Sequence, residues 1–197
     1  PREALRDARL VAALARLQAD GKIRAWGVSA KSPAEAIEAL AEFQAPVVQA
    51  NFNMMDVRVI ESGLLAEAAR RGAGFVGRTP LFFGFLSGTI GRDTKFPPGD
   101  HRLGWSRAQL DNWIDGARDL LSAVGAPPGH AGAQAALRFC LAFPEVSTVI
   151  PGILTAGSFY TRDGAVFYDV HDAANTIVLE LTHEHYKRLV IEVDDPE

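Results

Sequence analysis

A chain of 197 residues with 48% hydrophobic side chains can bury a core, either as one domain or as a domain with an appendage. Its net charge of -4 is spread over interspersed acids and bases, so there is no basic stripe to track a phosphate backbone, and nucleic acid is not an expected partner. No apolar run approaches the roughly 18 residues that span a bilayer, the opening PREALRDARL has no apolar signal-peptide core, and the single cysteine, Cys140, permits no internal disulfide; the expectation is a cytoplasmic protein without a membrane partner. The first residue is Pro1 rather than an initiator Met, in keeping with a fragment.

Residues 6–20 carry Leu10, Val11, Leu14 and Leu17 at helical spacing, and Gly21 follows as a stop, which predicts an amphipathic helix. The short apolar run 23–28 predicts a strand. Ser32 and Pro33 then supply an N-cap and a first-turn proline for a helix through residue 43. The alternation repeats with a strand at 47–50, a helix at 60–71 ended by Gly72, and a strand at 74–77. After a Pro/Gly-rich loop from 79 to 104 come helices at 106–124 and 132–143, then a strand at 146–150. Trp105, Leu110, Trp113 and Ile114 read as a packing face, and Cys140, in RFCLAF, as an inert core thiol.

Strands alternating with helices imply right-handed βαβ units and a parallel sheet covered by helices, an α/β fold. Four such units make half of a (β/α)8 barrel of the TIM type, or a small open sheet, and the pattern does not separate the two. Asp100, His101 and Arg102 are a charged triplet whose simplest reading is a solvated loop with a local Asp-Arg pair. His130 reads as a surface residue near a helix start.

Beyond residue 156 the pattern changes. The chain alternates around Asp163-Gly164 like a hairpin, Ile177, Leu179 and Leu181 share one face of a further strand, and Thr182 reads as the cap of a helix beginning HEHYKRL. The expectation is a half-barrel unit over 1–156 and a small ββα appendage over 157–197. His171, Asp172, His183 and His185 are metal-ligand types. On a helix, however, His183 and His185 diverge by about 200°, so no metal site is expected.

Five stretches, GKIRAWGVSA at 21–30, VVQANFN at 47–53, RTPLFFGFLSG at 78–88, FPPGDHR at 96–102 and ALRFCLAFPEVSTVIPG at 136–152, together resemble the aldo-keto reductases, in family order and with family-like separations. The resemblance covers residues 1–156 and corresponds to strands five to eight of the family barrel. It implies NADPH-dependent reduction of carbonyls, with a tyrosine proton donor assisted by lysine, aspartate and histidine, all upstream of Pro1. No catalytic residue is therefore expected here, and Tyr160, Tyr168 and Tyr186 are not assigned the role.

The same resemblance implies part of a cofactor cradle. Ser29 and Gln49 would hold the nicotinamide carboxamide, beside Ala30 where the family commonly has Asn. Pro80, Leu81, Gly84, Leu86 and Gly88 match the loop beneath the pyrophosphate, where glycine would let backbone N-H groups approach an anion, and Arg78 would line the mouth. After Pro151-Gly152 the family presents cations and amides to the 2'-phosphate; Ile153, Leu154, Thr155 and Ala156 stand there instead, so an NADP site would be incomplete. Two readings stay open: part of an oxidoreductase not competent alone, or a non-enzymatic half-barrel module. Both imply open strand edges, covered by a second copy, by a missing half-barrel partner, or by the tail.

Overall fold

The computed structural model describes residues 5–151 and the strand segments 157–161, 164–169, 176–180 and 186–192, which form two compact units divided between Pro151 and Gly152. The first contains, in order, α1 (Ala8–Ala19), β1 (Val28–Ser29), α2 (Pro33–Glu42), β2 (Val47–Asn51), α3 (Arg58–Glu61), α4 (Leu64–Arg70), β3 (Gly74–Arg78), α5 (Arg107–Ala123), α6 (His130–Leu141) and β4 (Val146–Ile150). The four strands form one sheet in the order β1-β2-β3-β4, with every pair parallel.

Local chemistry explains most of these boundaries. At the start of α2 the Ser32 hydroxyl accepts from Glu35 N at 3.3 Å, Pro33 occupies the first turn, and the Glu35 carboxylate accepts from Lys31 N at 2.8 Å. This close relative of a capping box satisfies donors that a helix start otherwise leaves open. The helix expected over 60–71 is instead two, because Gly63 adopts φ 75° between α3 and α4 and breaks the hydrogen-bond ladder. The strand expected over 23–28 shrinks to Val28–Ser29. A strand exists only where a neighbour lies alongside; β2 begins at Val47 and β1 pairs only as Val28 with Val48 and Ser29 with Gln49.

Alternation along the strands gives the sheet two different faces. Val48, Ala50 and Phe75 point into a core formed with Ala36, Ala39 and Leu40 of α2 and Leu64 and Ala68 of α4. Phe52 joins this core through ring contacts with Phe75 at 6.3 Å and Phe143 at 5.3 Å. Cys140 is buried there too. Its thiol donates to Phe52 O at 3.4 Å, and burial pushes its pKa up to about 11, so the inert-thiol reading holds. The other face carries Val47, Gln49, Asn51, Val76 and Arg78, all half-buried, and Ile150, 46% exposed.

A second cluster fills the space under the 79–104 loop. Phe85, Leu86 and Ile90 pack on Ala117 of α5 and Ala136 of α6, with Trp105 and Trp113 edge to face at 4.8 Å, so the tryptophans are packing residues as expected. The solvated reading of the Asp100-Arg102 pair is corrected here. Arg102 is only 5% exposed. Its guanidinium takes both Asp100 oxygens, at 2.9 and 2.6 Å, donates to Phe83 O at 3.1 Å, and lies 4.3 Å from the centre of the Phe96 ring. Burial became affordable because carboxylate, carbonyl and ring together replace the lost water. His101 remains exposed, with its ring edge to face against Trp105 at 5.2 Å.

The second unit is a four-stranded sheet of β5 (Gly157–Thr161), β6 (Gly164–Asp169), β7 (Thr176–Glu180) and β8 (Tyr186–Glu192) in the order β5-β6-β8-β7. The hairpin expected around Asp163-Gly164 is present, with Thr161 paired to Gly164. The helix expected after Thr182 is corrected to the strand β8, antiparallel to β7 and parallel to β6. YKRLVIE contains two β-branched residues, Val190 and Ile191, without a two-residue alternation, and pairing with two neighbours overrides a single capping signal. His171, Asp172, His183 and His185 lie outside the described residues.

Candidate functional site

The carboxyl ends of the parallel strands bring four polar side chains from three strands into one network. Register places Ser29 beside Gln49 and Asn51 beside Arg78, and period-two alternation turns Gln49, Asn51 and Arg78 toward the same open face. Gln49 Nε2 donates to Ser29 Oγ at 2.9 Å, and Arg78 Nη1 donates to the same oxygen at 3.0 Å. Arg78 also donates through Nε to Asn51 Oδ1 at 2.6 Å and through Nη2 to Ala30 O at 3.0 Å. One guanidinium thus ties β1, β2 and β3 together at their ends.

Asn51 and Thr79 complete the rim, and the sequence reading missed both. The Thr79 hydroxyl lies 3.1 Å from Asn51 Oδ1 and 2.7 Å from Arg78 O. Behind them the buried Asn53 donates to Thr79 O at 3.0 Å and accepts from Met55 N at 2.9 Å, which fixes the start of the following loop. A signal for Asn51 was present in VVQAN, where it stands two residues after Gln49 on the same strand face. Thr79 gave none, because its place depends on a backbone at φ 53°.

The loop after β3 has an unusual backbone. Thr79, Phe82 and Phe83 adopt φ of 53°, 45° and 56°, and Gly84 and Gly88 adopt 94° and 74°. Left-handed conformation is uncommon for bulky side chains and persists only where surrounding contacts fix it. Two such contacts are evident: Arg102 holds Phe83 O, and Ser87 O accepts from Gly129 N at 2.7 Å. The expected site residues divide along this loop. The side chains of Pro80 and Leu86 are fully buried, so they pack inside the fold and hold the loop in place. Leu81, Gly84 and Gly88 are partly exposed.

The glycine N-H groups are not free donors either. Gly84 N donates to Leu81 O at 3.0 Å and Gly88 N to Phe85 O at 2.9 Å. What these glycines supply is backbone conformation and close approach. A Cβ at Gly88 would come within 2.9 Å of Leu121 Cδ1 and 3.1 Å of Pro128 Cα.

The rim suits a primary amide. Ser29 Oγ already accepts two hydrogen bonds, which leaves its proton to be donated. Gln49 keeps its carbonyl oxygen and one amide hydrogen beyond its bond to Ser29, so the pair presents a donor next to an acceptor, as a carboxamide requires. Ala30, with no polar side chain, is fully buried and contributes its carbonyl oxygen to Arg78. Among the described residues no cluster of His, Cys, Asp and Glu is arranged to hold a metal ion, and no helix is long and apolar enough to cross a membrane. Ile153 to Ala156, where the resemblance points to a 2'-phosphate grip, lie outside the described residues.

A glycerol dehydrogenase from Gluconobacter oxydans superposes on this chain with a TM-score of 0.54 and 28% identity, covering 73% of this chain and 44% of its own. The holo form of an aldo-keto reductase from Bacillus halodurans aligns with a TM-score of 0.49 and 25% identity, also over 73% and 44%. No curated protein sequence matches. The chain therefore spans less than half the length of these solved relatives, and its parallel sheet with helices is a partial barrel rather than a small open sheet. The family model described as "Aldo/keto reductase family" matches residues 2–157; with that match over most of the sequence, the chain belongs to the aldo/keto reductase family.

Proposed function

We propose that this chain carries the nicotinamide-holding part of an NAD(P)H-dependent aldo-keto reductase, with Ser29 and Gln49 as the seat of the carboxamide. The observation that supports it is the shared hydrogen bonding of Ser29 Oγ by Gln49 and Arg78. It leaves a hydroxyl donor beside an amide acceptor at the carboxyl ends of parallel strands, the end at which barrel sites are built. When bound, the nucleotide supplies a hydride for an aldehyde or ketone. The chain's own residues bind and orient it: Ser29 and Gln49 at the carboxamide, and the 79–88 loop under the pyrophosphate.

Proton supply is a separate requirement. The three tyrosines of the sequence, Tyr160, Tyr168 and Tyr186, all lie beyond Pro151, and the rim itself carries no carboxylic acid. A general acid is worth roughly 100-fold to 10,000-fold in such a step, so carbonyl reduction at this rim draws its proton from a group outside the network described here.

The test is a fluorescence titration of the purified chain with NADPH and with NADH. Saturable binding is expected, weakened about 3-fold to 10-fold in Gln49→Ala, the loss of roughly one net hydrogen bond. Absence of binding at millimolar nucleotide would reject this reading and favour a second one, a half-barrel module that self-associates. What supports the second reading is that β1 and β4 each pair on one side only among the described residues, beside the exposed Ile150. Open edges of this kind invite another chain.

A further inference from the structure

Arg78 is held entirely by neutral groups. Its partners are Asn51 Oδ1, Ser29 Oγ and Ala30 O, and among the described residues no carboxylate pairs with it. Arg58, Arg92 and Arg102 differ, each with a guanidinium nitrogen 2.6 Å from an aspartate oxygen. The Arg78 side chain is half-buried and fixed by three bonds, so its charge is neither neutralised nor free to swing into bulk water. It leaves a standing positive field at the rim.

We propose that Arg78 makes this site discriminate between the two redox states of a nicotinamide nucleotide, favouring the reduced, uncharged ring over the oxidised, positively charged one. The inference rests on the reading of Ser29 and Gln49 as the carboxamide seat. Ser29 Oγ is shared by Gln49 and Arg78, so a group that takes the Ser29 proton stands two hydrogen bonds from the guanidinium. Oxidation adds one positive charge to the ring and leaves the phosphates as they were. Their attraction to the protein therefore cancels in the ratio of the two dissociation constants. The part Arg78 plays in tying three strands together weighs on both nucleotides alike and cancels as well. What survives in the ratio is the repulsion between guanidinium and oxidised ring, about tenfold for unit charges at such a separation in partly screened surroundings.

The experiment measures Kd for NADPH and for NADP+ on the unmodified chain and on Arg78→Lys, Arg78→Met and Arg78→Gln. The unmodified chain is expected to bind NADPH about tenfold more tightly than NADP+. Either neutral variant should reduce that preference by about fivefold or more, whatever it does to both affinities, while Arg78→Lys keeps most of it by keeping the charge. Equal or tighter binding of NADP+ by the unmodified chain overturns the inference without recourse to any variant, as does an unchanged ratio in a folded neutral variant. Binding of neither nucleotide removes the carboxamide seat and this inference with it, whereas binding with an unaltered ratio removes this inference alone.

Discussion

Arg78 and Arg102 are both drawn into the body of the fold, and they are held in opposite ways. Arg102 is matched by a carboxylate: its side chain holds the Asp100 pKa at about 2. Because the folded value lies below the unfolded one, the pair's stabilisation is complete above the unfolded pKa, about 4, and is lost as pH falls toward 2. Thermal melts between pH 5 and 2 should therefore show a steep loss of Tm that is partly flattened in Asp100→Asn. The flattening is partial because Glu67, hydrogen-bonded by Arg70 and Arg71, is also lowered to about 2. Cys140 makes a second prediction at this scale. A buried thiol raised to about 11 should not react with a thiol reagent at pH 8 in the folded chain, and should react on unfolding; stoichiometric labelling under native conditions would contradict the packing described. Cys140 was legible from its apolar neighbours in RFCLAF. The Arg78 network was not, because its bonds reach across 27 to 49 residues of sequence, and no local pattern encodes which strand ends meet.

Among the elements, those whose ends are fixed by their own side chains were the ones the sequence disclosed. Ser32 caps α2 and Ser106 caps α5, accepting from Gln109 N at 3.3 Å; Ser32→Ala should cost about 1 kcal/mol in chemical denaturation. Elements defined by a neighbour were disclosed less well. β1 shortened to the residues β2 can reach, and Tyr186–Glu192 became a strand because two partners flank it. The loop after β3 depends on close contact, which makes Gly88 a sharp test. Gly88→Ala combines a φ of 74° with a Cβ 2.9 Å from Leu121 Cδ1 and should destabilise by about 2 to 4 kcal/mol. Gly125→Ala, at a similar φ of 68° with nothing within 4 Å, should cost only about 1 kcal/mol. Equal losses in the two would mean that the loop is not packed as described.

At the largest scale, the parallel sheet of the first unit buries one face under α2 and α4, while the residues of its other face are half-buried. In a closed barrel such a face is interior, and here it carries the rim network together with Ile150, 46% exposed. If a second copy covers this face, sedimentation should find a dimer or larger species, and Ile150→Asp should move it toward monomer with little change in Tm. A monodisperse monomer would reject self-association. The half-barrel character was legible from the alternation of strands and helices together with the quoted motifs. In the second unit the hairpin around Asp163-Gly164 and the strand carrying Ile177 and Leu179 were legible from their alternation, whereas Tyr186–Glu192 was not, since β8 also pairs with β6, which is not its neighbour in sequence. The most direct test of the central claim observes the Gln49 side-chain amide by nitrogen-proton NMR during titration with NADPH and, separately, with 2',5'-ADP, which lacks the nicotinamide. A shift of the Gln49 resonance with NADPH alone is the expected result; saturable NADPH binding that leaves that resonance unmoved would contradict it.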